Sequence, residues 1–330
     1  MKMLKTFFGL LKKTFISWNS NDPFPQSAII AYYTLFSLPS LLIIIVSIAG
    51  YFFGKEAVQG KITAQIGDFI GIDAALAIEK MISSAAVNSN STVAIIFGVS
   101  MLLFGATGVF FQLKKAMNNI WSVAARKDTF LVMILDRIIS FGMVLVIGFL
   151  MLLTLIISAL IKILSDYIKS FAPVFSSITL EVFNYLISFL FITALFAAIF
   201  KLLPDIKIKW KVTLLGAALT TILFLIGEFL ISFYFGKSNP GSIYGGASSV
   251  VLILLWVNYT CLILFFGAEF TVQYAFHIKE QITPNQFSEP AIYQEMEKLR
   301  IKKKKIEEDQ KVLENLRSNF DYEEESKSSD

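Results

Sequence analysis

The chain has 330 residues, 55 % of them hydrophobic and 16 % charged, with 32 Phe and one cysteine, Cys261. A soluble domain of this size has no interior for so many large apolar side chains, so the composition excludes an ordinary soluble enzyme and requires a bilayer. The formal net charge of +4 is too small to argue for a nucleic-acid partner, and a single cysteine rules out an intramolecular disulfide or a cysteine-held metal cluster.

Residues 4–18 place Leu4, Phe7, Phe8, Leu11, Phe15 and Trp18 at helical spacing, with Lys5, Lys12 and Lys13 largely opposite. This pattern predicts an amphipathic helix lying in the membrane plane. A signal peptide would need an unbroken apolar centre, which Lys12-Lys13 interrupts. Asn19 to Pro25 reads as a turn, with Asp22 and Pro23 suited to starting the next helix.

Six apolar spans follow, at about 27–53, 92–111, 138–161, 180–203, 212–235 and 247–275, so the expected fold is all-α and polytopic. The first carries Pro39, a kink that neighbouring helices can accommodate, and Tyr32 and Tyr33 near its entry, as interface anchors or as lining of a cavity beside the kink. The mixed segment 54–90 predicts one or two amphipathic helices outside the hydrocarbon. In the second span Gly98, Gly105 and Gly108 allow close helix approach, and Lys114, Lys115, Arg126 and Lys127 after it predict a basic loop. Asp136 and Arg137 precede a 24-residue apolar run, which places them at the headgroups or at the start of the third span. The fifth span contains Glu228.

The sixth span is the most informative. Tyr244-Gly245-Gly246 leads into an apolar run from Val250 to Gly267, interrupted only by Asn258, Tyr259 and Thr260, and then Glu269. A helix over 247–275 would be ~42 Å long, enough for the ~30 Å hydrocarbon core with some tilt. Residues 1–26 thus form an amphipathic helix and turn, 27–278 a six-span domain, and 279–330 a charged tail with Ile292, Leu299, Ile306, Leu313 and Phe320 at seven-residue spacing. One such stripe is half a coiled-coil seam and predicts a solvated helix.

Orientation follows from the basic residues. The N-terminal segment and the connections after spans two and four carry four Lys or Arg each, with Lys201 counted in the last, against three, two and one in the other connections. The positive-inside rule then puts both termini in the cytoplasm.

The ordered set of short motifs resembles the YihY/BrkB family of membrane proteins. Tyr244-Gly245-Gly246, Leu255-Trp256-Val257 and Phe266-Gly267-Ala268-Glu269-Phe270-Thr271 carry the resemblance, together with Ala31-Tyr32-Tyr33, Ser37-Leu38-Pro39-Ser40, Asn119-Ile120-Trp121, Leu203-Pro204 and Gly216-Ala217. It covers residues 4–278 and implies six spans, cytoplasmic termini and a bacterial inner membrane. The family has carried two functional names, a tRNA-processing ribonuclease and a serum-resistance factor.

A nuclease needs a way to activate water or polarise a phosphate, by clustered carboxylates and histidines around metals or by a histidine pair. This chain has one histidine, His277, at the edge of the last span, and scattered acids such as Asp128 and Asp205, so no enzyme activity, metal or cofactor is expected. The expected function is a transporter or flippase-like protein for an ion, lipid or other amphiphile of the envelope, with membrane lipids as partners and no nucleic acid. Its polar cavity candidates are Glu228, Asn258, Arg137, Asp136, Glu269, Tyr32 and Tyr33, because ionisable groups inside a bilayer face a cavity or a partner. Glu228 and Asn258 lie within a helical turn of one another in depth. Glu269 lies further along, where it would reach the cytoplasmic headgroups and cap a helix or pair with a basic residue, while Arg137 would hold a lipid phosphate or neutralise Asp136. The alternative is an envelope scaffold without transport, which would need neither Glu228 nor Asn258.

Overall fold

The computed structural model describes residues 2–37, 79, 92–125, 173–238, 248–286 and 288–328. Its elements in chain order are α1 (Lys2–Ser20), α2 (23–37), α3 (Thr92–Ile120), β1 (Val123–Ala125), α4 (Pro173–Leu202), β2 (Ile206–Lys207), α5 (Trp210–Ser238), α6 (Ser248–His277), β3 (Thr283–Pro284), β4 (Ser288–Pro290) and α7 (Ala291–Ser328). Among the described residues three helices are long and apolar enough to cross a membrane, over Tyr185–Leu202, Trp210–Ile231 and Val250–His277. They coincide with the expected fourth, fifth and sixth spans. The first span beyond residue 37, most of segment 54–90, and the third span with Asp136 and Arg137 lie outside the described residues.

The break between α1 and α2 is short because its residues suit it. Asp22 takes a left-handed conformation (φ 47°), which Asp tolerates better than most residues, and Pro23 opens α2 where its missing N–H costs no helix bond. Gln26 Nε2 donates to the Asn21 carbonyl at 2.7 Å and fixes the corner. The turn is therefore tighter than the expected Asn19 to Pro25, with Pro25 already helical.

Helix α1 leans along α6. Its Phe7 ring meets Phe270 edge-on at 6.3 Å, while Trp18 contacts Phe266 at 6.1 Å and donates from Nε1 to the Leu262 carbonyl at 3.2 Å. From Phe270 to Leu262 is ~12 Å along α6, so α1 follows its neighbour obliquely rather than crossing it at one point.

Helix α3 continues past the expected end of the second span. Lys114 and Lys115, expected in a loop, are helical, because residues 112–120 contain neither Gly nor Pro and carry Leu113, Ala116, Met117 and Ile120 at i, i+3, i+4 and i+7, all buried. At this end of the bundle, called basal below, that stripe packs with Phe196, Phe200, Leu203, Val212, Leu264, Phe265 and Ala268 in one cluster.

Helix α5 lies between α4 and α6. Phe224 of α5 meets Phe196 of α4 at 5.8 Å and Trp256 of α6 at 5.9 Å, both edge-on, and Thr193 Oγ1 donates to Thr221 Oγ1 across the α4–α5 contact at 3.0 Å. Between α5 and α6 the approach is closest at two reciprocal pairs. A side chain on Gly216 would overlap Thr271, and one on Gly267 would overlap Thr220. Each threonine donates back to its own helix, Thr220 to the Gly216 carbonyl and Thr271 to the Gly267 carbonyl, both at 2.7 Å, so both of these hydroxyls are paired. Lipid tails are as apolar as Leu, so this surface fit, rather than removal of apolar area from water, holds such helices together. The opposite faces display Leu186, Leu190, Ile226, Phe229 and Phe233 outward, the arrangement a bilayer requires.

After α6 the chain returns to the basal end. Strand β3 pairs antiparallel with β2 (Ile206↔Pro284, Lys207↔Thr283), and β4 pairs with β1 (Val123↔Pro290, Ala125↔Ser288). Residues 283–290 thereby stitch the connections after α3 and α4 together. Helix α7 then leaves this surface, exposed at Leu299, Ile306 and Leu313, with Lys303–Glu307 and Lys304–Glu308 as i,i+4 ion pairs. A solvated helix is what the single apolar stripe predicts.

Candidate functional site

The polar residues of the bundle gather at three levels. The first lies midway along α5 and α6. The register set by Gly216 with Thr271 and Gly267 with Thr220 continues to Gly227, whose missing side chain makes room for the Tyr259 ring and hydroxyl. Next to this pair and at the same level are Glu228, one residue after Gly227, and Asn258, one residue before Tyr259, both half-buried. Tyr259 Oη donates to the Leu223 carbonyl at 3.4 Å, and the next residue, Thr260, has a buried hydroxyl with no hydrogen-bond partner in the structure. No hydrogen bond joins Glu228 to Asn258 among the described residues. The antiparallel register brings four polar side chains, Glu228, Asn258, Tyr259 and Thr260, to one level of two helices that are otherwise apolar there.

The second level is the buried carboxyl of Glu269, which is 1 % exposed. Asn21 Nδ2 from the α1–α2 corner donates to its Oε1, and Ser17 is a second hydrogen-bonding side chain beside it. Its Oε2 has no partner and adjoins a void of about 10 Å³ between Trp18, Pro23, Ile120 and Phe265. The sequence expectation is a carboxylate at headgroup depth that caps a helix or pairs with a basic residue; the partner observed is a side-chain amide. The α1–α2 corner folds over Glu269.

The third level is a network around Asp205 at the basal end. Lys114 Nζ lies 2.9 Å from Asp205 Oδ2, Asn118 Nδ2 donates to the same oxygen at 3.0 Å, and Asn285 Nδ2 donates to Oδ1 at 3.1 Å. The Asp205 N–H donates to Asn118 Oδ1 at 2.9 Å, and the Asp205 carbonyl accepts from the Asn285 N–H at 3.0 Å and from Ser288 Oγ at 2.6 Å. Asp205, Lys114, Asn118 and Ser288 are all buried. One residue thus ties α3 to the α4–α5 corner and to the turn between β3 and β4.

Of the other candidates, Tyr33 packs against Gly108 of α3 and meets Phe104 edge-on at 5.8 Å, a helix contact, while Tyr32 is exposed and stacks edge-on with Phe36 at 4.8 Å. The expectation that Gly105 and Gly108 admit a neighbouring helix is met by α2, through Ser37 and Tyr33. The structure brings Glu228 and Asn258 to one level and leaves Glu269 and the tyrosines apart from them. Sequence reading missed Lys114, Asn118, Asp205, Asn285 and Ser288 as a set. Among the described residues no three His, Cys, Asp or Glu side chains are grouped to hold a metal ion, and His277 is exposed at the end of α6.

Comparison with known proteins decides the family. Residues 15–290 match the family described as virulence factor BrkB. The chain belongs to the BrkB family. The match ends with β4, so the two small ladders lie within the shared unit and α7 outside it. Among similar proteins, one of Bacillus subtilis named ribonuclease-like, YfkH, is 21 % identical over 79 % of this chain and 93 % of its own length. A UPF0761 membrane protein of Haemophilus influenzae is 24 % identical over 82 % of this chain and 95 % of its own length. Another UPF0761 membrane protein, of Saccharophagus degradans, is 25 % identical over 81 % of this chain, which spans only 59 % of that relative. No solved structure matches.

Proposed function

We propose that this BrkB-family membrane protein is a transporter or flippase-like protein that moves an ion, a lipid or another amphiphile of the cell envelope. In this reading it has six spans in a bacterial inner membrane with both termini cytoplasmic, as the Lys and Arg bias of its connections favours. The observation that supports transport is the gathering of Glu228, Asn258, Tyr259 and Thr260 at one level of α5 and α6 that is otherwise apolar. A carboxylate there costs ~2.5–3.5 kcal/mol on insertion scales unless it faces water or a partner, so its presence is accounted for by a polar path. Chemistry on a substrate is not part of the proposal.

The test uses purified protein in proteoliposomes, with fluorescent phospholipid translocation and dye-reported ion flux measured in parallel. Wild type is expected to accelerate one of them over protein-free vesicles, and Glu228→Leu to abolish that rate while keeping wild-type gel-filtration behaviour. Full activity in Glu228→Leu, or no flux of either kind in wild type, would favour the scaffold reading. The exposed stretch of α7 would then be the recruiting element.

A further inference from the structure

We propose that an open cavity at the basal end, bordered by α3, β1 and the first turns of α7, binds the phosphate-bearing headgroup of an anionic phospholipid. The cavity has a volume of about 760 Å³, within the roughly 300–1,000 Å³ range of small-molecule sites. Its wall changes character along α3. Thr107 and the exposed ring of Phe111 stand at the end nearer the bilayer centre. Lys114, Lys115, Asn118 and Asn119 follow, and across from them α7 contributes Lys298. From Thr107 to Asn119 is ~18 Å along a helix, which covers the passage from hydrocarbon through the headgroup layer. This is the order in which a phospholipid presents its acyl chain, glycerol and phosphate.

The charges are of the right sign and are available. Lys114 is engaged by Asp205 at 2.9 Å, which compensates its charge, but Lys115 and Lys298 are exposed and form no salt bridge among the described residues. The acid on the wall is Glu295, one turn before Lys298. The Asn118 and Gln294 amides are already committed, Asn118 to Asp205 and Gln294 to the Ala125 carbonyl and Glu289, so they shape the cavity rather than receive the ligand. Lys115, Lys298 and the exposed Asn119 are then the groups left to meet a phosphate diester. Ammonium groups at this depth attract anionic lipid, and Lys tolerates the position because its stem can lie along Phe111. The inference uses the membrane orientation proposed above to assign the cavity to the cytoplasmic leaflet. Headgroup binding itself does not depend on transport.

The test is thermal unfolding of the full chain in uncharged detergent with added short-chain phosphatidylglycerol, short-chain phosphatidylcholine or inorganic phosphate. Phosphatidylglycerol is expected to raise the midpoint saturably, phosphatidylcholine and phosphate at equal concentration to do so far less. Lys115→Gln with Lys298→Gln is expected to weaken the apparent affinity about 30-fold, about 5-fold for each charge removed. Glu295→Gln is expected to strengthen it, an effect that misfolding cannot produce. Lys302→Gln with Lys305→Gln, which removes the same charge from exposed positions of α7 that do not line the cavity, is expected to leave it unchanged, and because binding is read without flux, failure of the transport reading and failure of this one are separate outcomes. Equal stabilisation by phosphate or phosphatidylcholine, or an unchanged affinity in the double variant, would overturn the proposal.

Discussion

Removing the Asp205 carboxylate tests whether the basal network holds the fold together. Asp205→Ala removes the carboxylate that lies 2.9 Å from the buried Lys114 ammonium and accepts from the Asn118 and Asn285 amides. Breaking a buried pair in this way costs about 3–5 kcal/mol, because the remaining charge stays desolvated. The backbone contacts of Asp205 survive, so the expected consequence is loosening of the 285–288 turn rather than general unfolding. Asp205→Asn keeps an acceptor for one amide and is expected to cost less. Lys114→Met combined with Asp205→Leu is expected to recover much of the loss, since both charges are gone and no ion is stranded. The assay is reversible unfolding in mixed micelles alongside limited trypsinolysis at the exposed Lys279, which a loosened turn presents more readily. Wild-type stability and cleavage in Asp205→Ala would refute the reasoning, as would a double variant that is worse than the sum of its singles.

Three further outcomes follow from particular contacts. Gly267→Val places a side chain where the Thr220 hydroxyl lies, so it is expected to lower folded yield severely, with partial recovery when Thr220→Ala is added; no recovery would mean the helices are not in this register. Glu269→Gln keeps an oxygen for Asn21 and removes a buried charge whose second oxygen has no partner, so stability by unfolding midpoint is expected to equal or exceed wild type, and a large loss would show that the charge itself is needed. In a Cys261→Ala background, cysteines at Ser238 and Asn88 are expected to react with an impermeant thiol reagent in intact spheroplasts, and those at Lys127 and Ser318 only after permeabilisation. Labelling of Lys127→Cys in sealed cells would overturn the six-span orientation.

The membrane-capable helices were legible because a span is a composition signal twenty residues long, and α4, α5 and α6 coincide with it. The paired depth of Glu228 and Asn258 was also legible, since a short connection between antiparallel helices fixes their relative level to about a turn. Less visible were features made by residues far apart in the chain. Asp205 meets Asn118 at a separation of 87 residues and Asn285 at 80, and no periodicity relates them. Glu269 looked interfacial from its position along α6, but the corner that buries it arrives 248 residues earlier, at Asn21. The β1–β4 and β2–β3 ladders are two or three residues each, too short to alternate detectably. The continuation of α3 through Lys114 and Lys115 was the one local feature open to sequence reading, since the stripe Leu113, Ala116, Met117 and Ile120 has helical period. Charge alone had suggested a loop.

The most direct measurement of the central claim, a polar region reached from water at the level of Glu228 and Asn258, is cysteine reactivity in the Cys261→Ala background. Glu228→Cys and Asn258→Cys are compared with Phe229→Cys, whose native ring faces outward, using a small water-soluble methanethiosulfonate reagent on protein in lipid vesicles. A water-lined path predicts modification at both polar positions at least ~10-fold faster than at Phe229, since thiolate forms and reacts only where water reaches it. Equal, negligible rates at all three positions would contradict the account and leave Glu228 as a carboxyl without a path.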